Sequence, residues 1–475
     1  MSTPSSRHSI VSPWRREALR TNLWFVPALE VAAAVLLFVV TITIDRAAAD
    51  GTVHLPFWMD NGSADAARQI LIGIAAAVIT VIGLVFSITI LALTLASTQF
   101  GPRILRTFIR DRGTQVTLGT FVATFVFAVL ALASVTNDGR GEFVPHFTIT
   151  VALVLVLADL GVLIYFIDHV ARSIQLPTVI AGIAAELGRA VRAETTETTE
   201  TSANDGPLDR AAIESLVGLL DREGAPIGAP SSGYLQYVTW VSLVEIASGC
   251  GATIRMRHRP GHFVTQGLPL ADVWPPSTAD EITRGLVALH ATGAHRTLSQ
   301  DLAFAIDQLV EIAIRALSPA VNDTFTGMTC VDWLGDALCK IALRWEPRRV
   351  YRDDDGAIRV IAATQSFERL VDRSFDKIRQ AGRGMPAILI RQLEALTRVC
   401  QYAQQREQLV ALSRQASMIV QSGADSIADA ADLADVRDRA VRFTRERRAA
   451  ETRITAAGVA AASRAVGERA DDPVA

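Results

Sequence analysis

Several chemically informative residue types are scarce in this chain of 475 residues. It has only four cysteines, and none has the spacing of a metal-binding pair, so we expect no metal site. The sequence contains no phosphate-binding loop, nucleophile elbow or dinucleotide fingerprint, so we expect no cofactor and do not favour an enzyme. Because the net charge is only −3, nucleic acid is not an expected partner.

Charged residues are missing altogether from one long stretch, Ile70 to Ala96. At about 1.5 Å per residue, a helix of this length exceeds the hydrocarbon thickness of a bilayer, which is about 30 Å. A second run, Val116 to Val135, is also uncharged, and two more runs contain a single acid each. The sequence therefore predicts an integral membrane protein in contact with membrane lipids, with spans at residues 24–44, 70–96, 116–135 and 147–167.

Arginines indicate the orientation of these spans. They concentrate before the first span and between the second and third, so the positive-inside rule places both termini in the cytoplasm of a bacterium. One alternative stays open, because the basic start, the apolar stretch and Ala47–Ala49 are typical of a secretory signal with a cleavage site. Asp45 and Arg46 interrupt the approach to that site, which favours an uncleaved span in the cytoplasmic membrane.

The loop from Phe100 to Arg112 has the pattern of a short amphipathic helix. Its apolar residues fall on one face, and three basic residues border or oppose that face: Arg103, Arg106 and Arg110. We expect this helix to lie on the anionic inner leaflet, where arginines approach the lipid headgroups. The alternative is that it docks onto the cytoplasmic domain.

The fold class predicted for the whole chain is mainly α. It combines a four-helix transmembrane bundle with a mostly helical cytoplasmic domain that contains a small α/β insertion. The predicted divisions are a cytoplasmic N-terminal segment (1–23), the transmembrane domain (24–168), a helix and acidic threonine-rich linker (169–206), the α/β module (207–276), the helical domain (277–424) and an alanine- and arginine-rich helical tail with a disordered end (425–475). Within the last two divisions we predict helices at 278–292, 298–317, 325–341, 365–380, 386–414 and 425–469, with a strand at 357–362.

Three passages carry a resemblance to a known family. They are STQFGPRILRTFIRDRGTQVTLGT from Ser97, YFIDHVARSIQ from Tyr165 and RALSPAVNDTFTGMTCVDWLGD from Arg315. With them the chain resembles DUF2254, a bacterial family of predicted membrane proteins of unknown function, from the first span to about Arg414. Thr324 stands where we expect a proline in that family, and Asp168 where we expect a second histidine. The resemblance supports the architecture and implies no particular activity.

Polar residues within the predicted spans are the first candidate site. Asp159 lies near the middle of the fourth span, where an acid normally faces a partner or water. The hydroxyls that share a face of a neighbouring span are Thr80, Ser87 and Thr94 on span two, and Thr117, Thr120 and Thr124 on span three. They predict either a polar lining for an ion path or a hydrogen-bonded acid that holds the helices together. Glu30, near the cytoplasmic end of span one, is expected to pair with an arginine.

A second candidate site lies in the cytoplasmic part. Ser318 should end one helix before Pro319, and Asn322 and Asp323 should cap the next, with Thr326 in its first turn. Upstream, Asp307, Glu311 and Arg315 follow one another at four-residue spacing. A helix N-terminus beside an arginine is a natural anion site, so these residues predict binding of a charged ligand. The simpler interpretation is that Asp323 only caps the helix and that the charges form ion pairs.

Two functions from different classes follow from these sites. The first is a homo-oligomeric conduit for an ion or small solute, gated by the cytoplasmic domain and dependent on Asp159. The second is a membrane-anchored sensor or scaffold that binds a charged ligand or a partner near Arg315–Thr326. An enzyme is the weakest hypothesis, because no nucleophile with its base can be named.

Overall fold

The structure is a computed structural model, and it describes residues 25–53, 56, 63–100, 111–138, 141–202, 210–344 and 349–470. The chain divides into two compact units, residues 1–178 and 179–475, which we call the membrane unit and the C-terminal unit. Helices dominate both units, so the predicted mainly α class is confirmed. The N-terminal segment before residue 24 and the arginines of the loop between spans two and three lie outside the described residues.

The membrane unit contains four helices that are long and apolar enough to cross a bilayer, as predicted. They are α1 (Phe25–Ala49), α2 (Ala64–Phe100), α3 (Arg112–Ser134) and α4 (His146–Ser173), with a two-stranded hairpin, β1 (Thr136–Asp138) and β2 (Gly141–Phe143), between α3 and α4. All four of these helices extend past the predicted spans by at least four residues at one end or both. The reason is that helix formation continues into polar flanking turns, such as that of Asp65 and Arg68, whereas a span prediction finds only the apolar part.

Helix α3 is the centre of this bundle, because it packs more extensively against the other three helices than any of them does. Its Phe121 and Phe127 are fully buried, and Phe166 of α4 is buried with them. The outward faces carry large apolar side chains instead, such as Leu36 and Leu157, which are 65% and 70% exposed. This distribution is the one expected of helices whose surroundings are lipid tails.

A buried carboxylate connects the first and last helices. Asp45, near the end of α1, accepts hydrogen bonds from the backbone N–H groups of Phe147 and Thr148, at 2.8 and 2.9 Å, and from the Thr148 hydroxyl at 2.6 Å. These N–H groups belong to the first turn of α4, which has no helical acceptors for them. Asp45, which in the sequence interrupts the approach to the possible cleavage site, is therefore an interhelical cap.

The C-terminal unit contains two small sheets. The five-stranded sheet has the order β3-β7-β5-β10-β9, and the three-stranded sheet has the order β6-β4-β8. The strands are β3 (Ala225–Gly228), β4 (Gly233–Val238), β5 (Thr253–Met256), β6 (Phe263–Val264), β7 (Pro269–Trp274), β8 (His290–Gly293), β9 (Val350–Arg352) and β10 (Ile358–Ile361). Helices α6 (Arg210–Glu223), α7 (Trp240–Gly249) and α8 (Ala279–Leu289) accompany them.

The sequence predicts an α/β module confined to residues 207–276, but the sheets include strands from beyond these bounds. Strand β10 pairs in parallel with β5, and β8 pairs with β4, so both sheets take strands from the predicted helical domain. The predicted helix 278–292 ends at Leu289, because His290–Gly293 is recruited to the edge of β4. Strands β3 and β9 were not predicted, since segments of four and three residues are too short to show an alternating pattern in the sequence.

The remaining helices form the rest of the unit: α5 (Leu176–Ser202), α9 (Leu302–Ala316), α10 (Thr324–Arg344), α11 (Phe367–Ala381), α12 (Pro386–Tyr402), α13 (Arg406–Ser426) and α14 (Ala430–Ala470). The single predicted helix 386–414 is in fact two, because Gln405 caps a new helix in a reciprocal capping box with Gln408. Helix α5 continues through the threonine-rich segment predicted as linker. Its glutamates, which are good helix formers, offset the weak preference of threonine.

The predicted tail is packed along part of its length. Val436, Phe443 and Ala450 of α14 are buried, and α14 packs against α12 and α13. Arg453 donates hydrogen bonds to the carbonyls of Cys400 and Gln401 at the end of α12, at 3.1 and 2.9 Å. Helix α14 is therefore an integral part of the C-terminal unit rather than an arm separate from it.

Candidate functional site

Asp159 lies inside the membrane unit, where the bundle is packed. Its side chain is 4% exposed, and its Oδ1 accepts a hydrogen bond of 3.1 Å from the Thr124 hydroxyl of α3. Its second oxygen, Oδ2, is buried and has no hydrogen-bond partner among the described residues. A carboxyl group with a single hydroxyl donor is poorly compensated for burial in hydrocarbon, so this position is expensive to maintain.

The hydroxyls predicted on span two lie elsewhere. Thr80, Ser87 and Thr94 are exposed on α2 within this chain, and each donates to a carbonyl four residues earlier, at 2.7 to 2.9 Å. Asp159 therefore has a hydrogen-bond partner on α3, and none of these three hydroxyls of α2 is its partner. The cause is the central position of α3, which occupies the side of α4 that Asp159 faces.

Further polar groups lie on or beside α3, between Thr124, the partner of Asp159, and the start of that helix. Thr117 is fully buried, and its hydroxyl has no hydrogen-bond partner in the described part of the chain. Glu30 of α1 turns its carboxylate toward α3 at Gly119, and its buried Oε2 also has no partner among the described residues. Glu30 therefore packs on α3, and its pairing with an arginine stays a prediction. Thr120 donates to the Val116 carbonyl at 2.9 Å.

The sequence interpretation missed a histidine–carboxylate pair at this end of the bundle. Asp111 caps α3 by accepting hydrogen bonds from the backbone N–H and hydroxyl of Thr114, at 2.9 and 2.8 Å. The same oxygen lies 2.7 Å from Nε2 of His169 on α4. Tyr165 stacks on the imidazole with ring centroids 5.4 Å apart, and Gly113 leaves the space that the imidazole fills. The signal was available, because Asp111 and His169 each lie in a family passage.

These groups form a discontinuous polar line through the bundle. From Asp111 to Thr124 it follows α3 for 13 residues, about 20 Å at the helical rise, and from His169 to Asp159 it follows α4 for about 15 Å. Buried rings, Phe121 and Phe166, lie between the polar positions along these helices. The arrangement therefore places separate acid, imidazole and hydroxyl groups in a packed interior.

Comparison with known proteins identifies the family. A family model described as "Predicted membrane protein (DUF2254)" matches residues 20–398. The chain belongs to this family. Uncharacterized proteins of Mycobacterium tuberculosis strain H37Rv and of Mycobacterium bovis are similar to it, each 34% identical over 394 residues, which cover 81% of this chain and 74% of the relative. No solved structure matches the chain.

The third family passage of this DUF2254 protein forms the turn between α9 and α10. Asp323 accepts hydrogen bonds from the backbone N–H and hydroxyl of Thr326, at 3.0 and 2.6 Å, which lower the pKa of its carboxyl group. Ser318 donates to the Arg315 carbonyl at 2.7 Å, and Asn322 adopts a left-handed backbone conformation with φ of 51°. Capping and turn formation account for these contacts, and ligand binding at the turn stays a prediction.

The other predicted ligand-binding residues of this DUF2254 protein lie on α9, and the ion pairs of one of them, Asp307, lie away from the turn. Asp307 forms ion pairs with Arg296 and Arg373, the latter through Nη2 at 2.8 Å. Burial opposes ionisation of Asp307, but the hydrogen bonds and charges of these two arginines outweigh it, so its pKa is lowered. Arg315 lies eight residues further along α9, about 12 Å away, with Glu311 between them. The predicted residues therefore belong to two separate places.

Proposed function

We propose that this DUF2254 protein is a proton conduit of the bacterial cytoplasmic membrane, with both termini in the cytoplasm. The observation that carries the proposal is Asp159, a buried acid in the middle of a membrane helix with one carboxyl oxygen that lacks a partner among the described residues. An acid at the bilayer centre costs about 2.5–3.5 kcal/mol on insertion scales, and such acids commonly belong to proton or ion pathways.

A proton is the cargo that best suits this interior. Buried phenylalanine rings lie between the polar groups in the described part of the bundle, which disfavours passage of an ion with its hydration shell. A proton moves by exchange between hydroxyl, carboxyl and imidazole groups, which are the groups that the polar line provides. The spacing of the line exceeds hydrogen-bond length, so side-chain movement or transient water must join its members.

The direction of the path follows from the helix ends. Asp111 and His169 lie at the end of the bundle that the arginine distribution assigns to the cytoplasm. Asp159 lies between that end and the opposite one, where Asp45 caps α4. The Asp111–His169 pair would exchange protons with the cytoplasm, and Asp159 would be the intermediate acceptor within the membrane.

Association of several copies is part of this proposal. The exposed hydroxyls Thr80, Ser87 and Thr94 follow one face of α2 at seven-residue spacing. Small polar residues at an exposed helix face let membrane helices approach closely and hydrogen-bond across the contact. A second copy packed on this face would bury these hydroxyls, as a homo-oligomer requires.

The test is proton flux into liposomes that contain the purified protein and a pH-sensitive dye. A potassium gradient with valinomycin supplies the driving voltage, and Asp159→Asn is compared with Thr43→Val, which removes an exposed hydroxyl of α1 outside the proposed contact face. We expect flux well above that of empty vesicles in the unchanged protein and in Thr43→Val, and flux near background in Asp159→Asn. Equal flux in both variants would assign Asp159 to helix packing, and background flux throughout would end the proposal.

A second function, a membrane-anchored scaffold, is favoured by one observation at the turn between α9 and α10. Val321 and Phe325 beside the left-handed Asn322 are 55% and 79% exposed, so two large apolar side chains lie close together on the surface of this turn. A partner docked there would cover them. Light scattering of the solubilised protein tests the simplest partner, a second copy: Phe325→Ala should lower the measured mass, and an unchanged mass would exclude that partner.

A further inference from the structure

The C-terminal unit contains a cavity of about 720 Å³ that opens to solvent. Its wall is formed by the turn after β5, which contributes Arg259 and His262, by Asp307 of α9, and by the first half of α11 with the residues just before it. Cavities of this volume lie within the range of small-molecule sites, about 300–1,000 Å³. The cavity includes Asp307, which the sequence predicts as ligand-binding, but no residue of the turn between α9 and α10 or of the polar line in the membrane unit lines it.

Four basic side chains and three carboxylates line the cavity: Arg259, Arg369, Arg373 and Lys377, with Asp307, Asp372 and Asp376. Each of these three carboxylates forms an ion pair with an arginine that does not line the cavity. Arg296 pairs with Asp307, Arg414 with Asp372, and Arg379 with Asp376 at 3.5 Å. The carboxylate charge is therefore compensated by Arg373 of the lining, which pairs with Asp307, and by these outside arginines, so the other basic groups of the lining are in excess.

Two of the basic groups have no ionic partner among the described residues. Arg369 and Lys377 are exposed on α11, with Arg373 midway between them, and the four-residue spacing places all three on one face of the helix. Their charges converge on the same side of the cavity. Like charges at this spacing repel one another, so an anion held between them would relieve that repulsion.

Arg259 is the most confined of the basic groups. Its side chain is 15% exposed, its nearest carboxylate is Asp301 at 3.5 Å, and it donates a 3.3 Å hydrogen bond to its neighbour's carbonyl at Pro260. Burial lowers the pKa of this guanidinium, because the loss of hydration exceeds the favourable charge of Asp301. Its five donors are thus incompletely used, and an oxyanion in the cavity would supply acceptors.

The start of α11 adds neutral donors to the same cavity. Thr364, Gln365 and Ser366 line it, and Ser366 caps the helix by accepting a hydrogen bond from the backbone N–H of Arg369. A helix N-terminus presents further backbone N–H groups and a positive dipole end. Hydroxyl, amide and backbone donors therefore stand beside the guanidinium groups on one wall.

We propose that this cavity binds a small phosphate-bearing anion. Guanidinium groups match phosphate oxygens with pairs of parallel hydrogen bonds, and the convergent charges of α11 suit a ligand that carries more than one negative charge. This site is independent of the proton path, and it assigns the C-terminal unit a role as ligand receptor. A soluble metabolite and a lipid headgroup both present this phosphate chemistry.

The test is titration of the full-length protein in nanodiscs with inorganic pyrophosphate, followed by calorimetry. The double variant Arg369→Gln/Lys377→Gln removes two exposed charges without ionic partners, so its folding should be retained. The control is Arg284→Gln, an exposed arginine on α8 away from the cavity. We expect saturable binding in the unchanged protein and the control, and affinity at least about tenfold lower in the double variant, as expected for loss of charge-assisted hydrogen bonds.

Arg259→Lys provides a second readout, because it keeps the charge and removes the planar fork. Weaker pyrophosphate binding with an unchanged melting temperature would support a guanidinium-specific phosphate contact. No saturable binding by the unchanged protein, or equal affinity in the double variant and the control, would overturn the proposal.

The lipid composition of the nanodiscs distinguishes the two sources of phosphate. Phosphatidylcholine discs carry no net anionic headgroup, whereas discs that also contain phosphatidylglycerol do. Equal pyrophosphate affinity in both would identify a soluble anion as the ligand class. Affinity that falls in the phosphatidylglycerol discs for the unchanged protein, but not for the double variant, would identify a competing headgroup.

Discussion

The carboxylate of Asp111, at the start of α3, lies 2.7 Å from Nε2 of His169 near the end of α4. The two residues are 58 positions apart in the chain and belong to different passages of the DUF2254 resemblance. Their side chains are only 27% and 26% exposed, so the contact is largely shielded from solvent. The family passages meet at one end of the bundle and connect its central helix to its last one.

Replacing His169 with alanine should destabilise the membrane unit. The change removes a hydrogen bond to a half-buried carboxylate and leaves space beside Tyr165, so we expect a loss of about 1–3 kcal/mol in the free energy of unfolding. Asp168→Ala is the matched control, because Asp168 forms an exposed pair with Arg172, and exposed pairs contribute about 0–1 kcal/mol. Thermal unfolding in detergent measures both variants. Equal losses in the two would contradict a structural role for the Asp111–His169 contact.

Replacing Gly119 with alanine should destabilise the bundle, whereas the same replacement at Gly161 should not. A Cβ at Gly119 would meet the Glu30 carboxylate and lie 2.9 Å from Cα of Pro27, so α1 would have to move away from α3. We expect Gly119→Ala to cost about 1–3 kcal/mol of stability. Gly161→Ala on α4 meets nothing within 4 Å and should be neutral or slightly stabilising, because alanine favours the helix. Melting temperatures in detergent compare the pair, and a neutral Gly119→Ala would show that α1 packs less closely than described.

The stability of the C-terminal unit should fall as the pH decreases through the range set by His262. Burial, followed by the positive charge of Arg259, lowers the pKa of His262 from its ordinary 6.5 to about 4. Between these values the unfolded chain binds a proton that the folded chain does not, so acidification favours unfolding. His262→Gln should therefore show a shallower decline of melting temperature from pH 6.5 to 4 than the unchanged protein. Parallel curves for the two proteins would argue against a buried neutral imidazole.

The spans were predictable from sequence because their cause is local. A run such as Ile70–Ala96 is unfavourable in water at every residue, and its backbone must form its own hydrogen bonds in lipid, so a helix is the only solution. Amphipathic helices such as α9 and α11 were predicted for a related reason, since apolar residues at helical spacing require a common buried face. Their boundaries were less certain, as the extra turns of the membrane helices illustrate.

Partners of the polar residues were not predictable in the same way. Asp159 was recognised as a candidate from its position alone, but its contact with Thr124 depends on which helix lies at the centre of the bundle. The sequence offers hydroxyls on both α2 and α3 at suitable spacing, and only packing decides between them. In the sequence, Asp45 only argued against a cleaved secretory signal, whereas its three hydrogen bonds to α4 appear only when the helices are assembled.

The sequence by itself determined that this chain is a membrane protein with four spans and a mostly helical C-terminal part, because hydrophobicity and periodicity act over a few neighbouring residues. Tertiary structure alone decided where charges meet. It brought Arg259, Asp307 and α11 together around one cavity, and it joined β10 to β5 across about a hundred residues of chain. Such contacts have no signature in local sequence, because the energy of a charge or a strand depends on the neighbours that folding supplies.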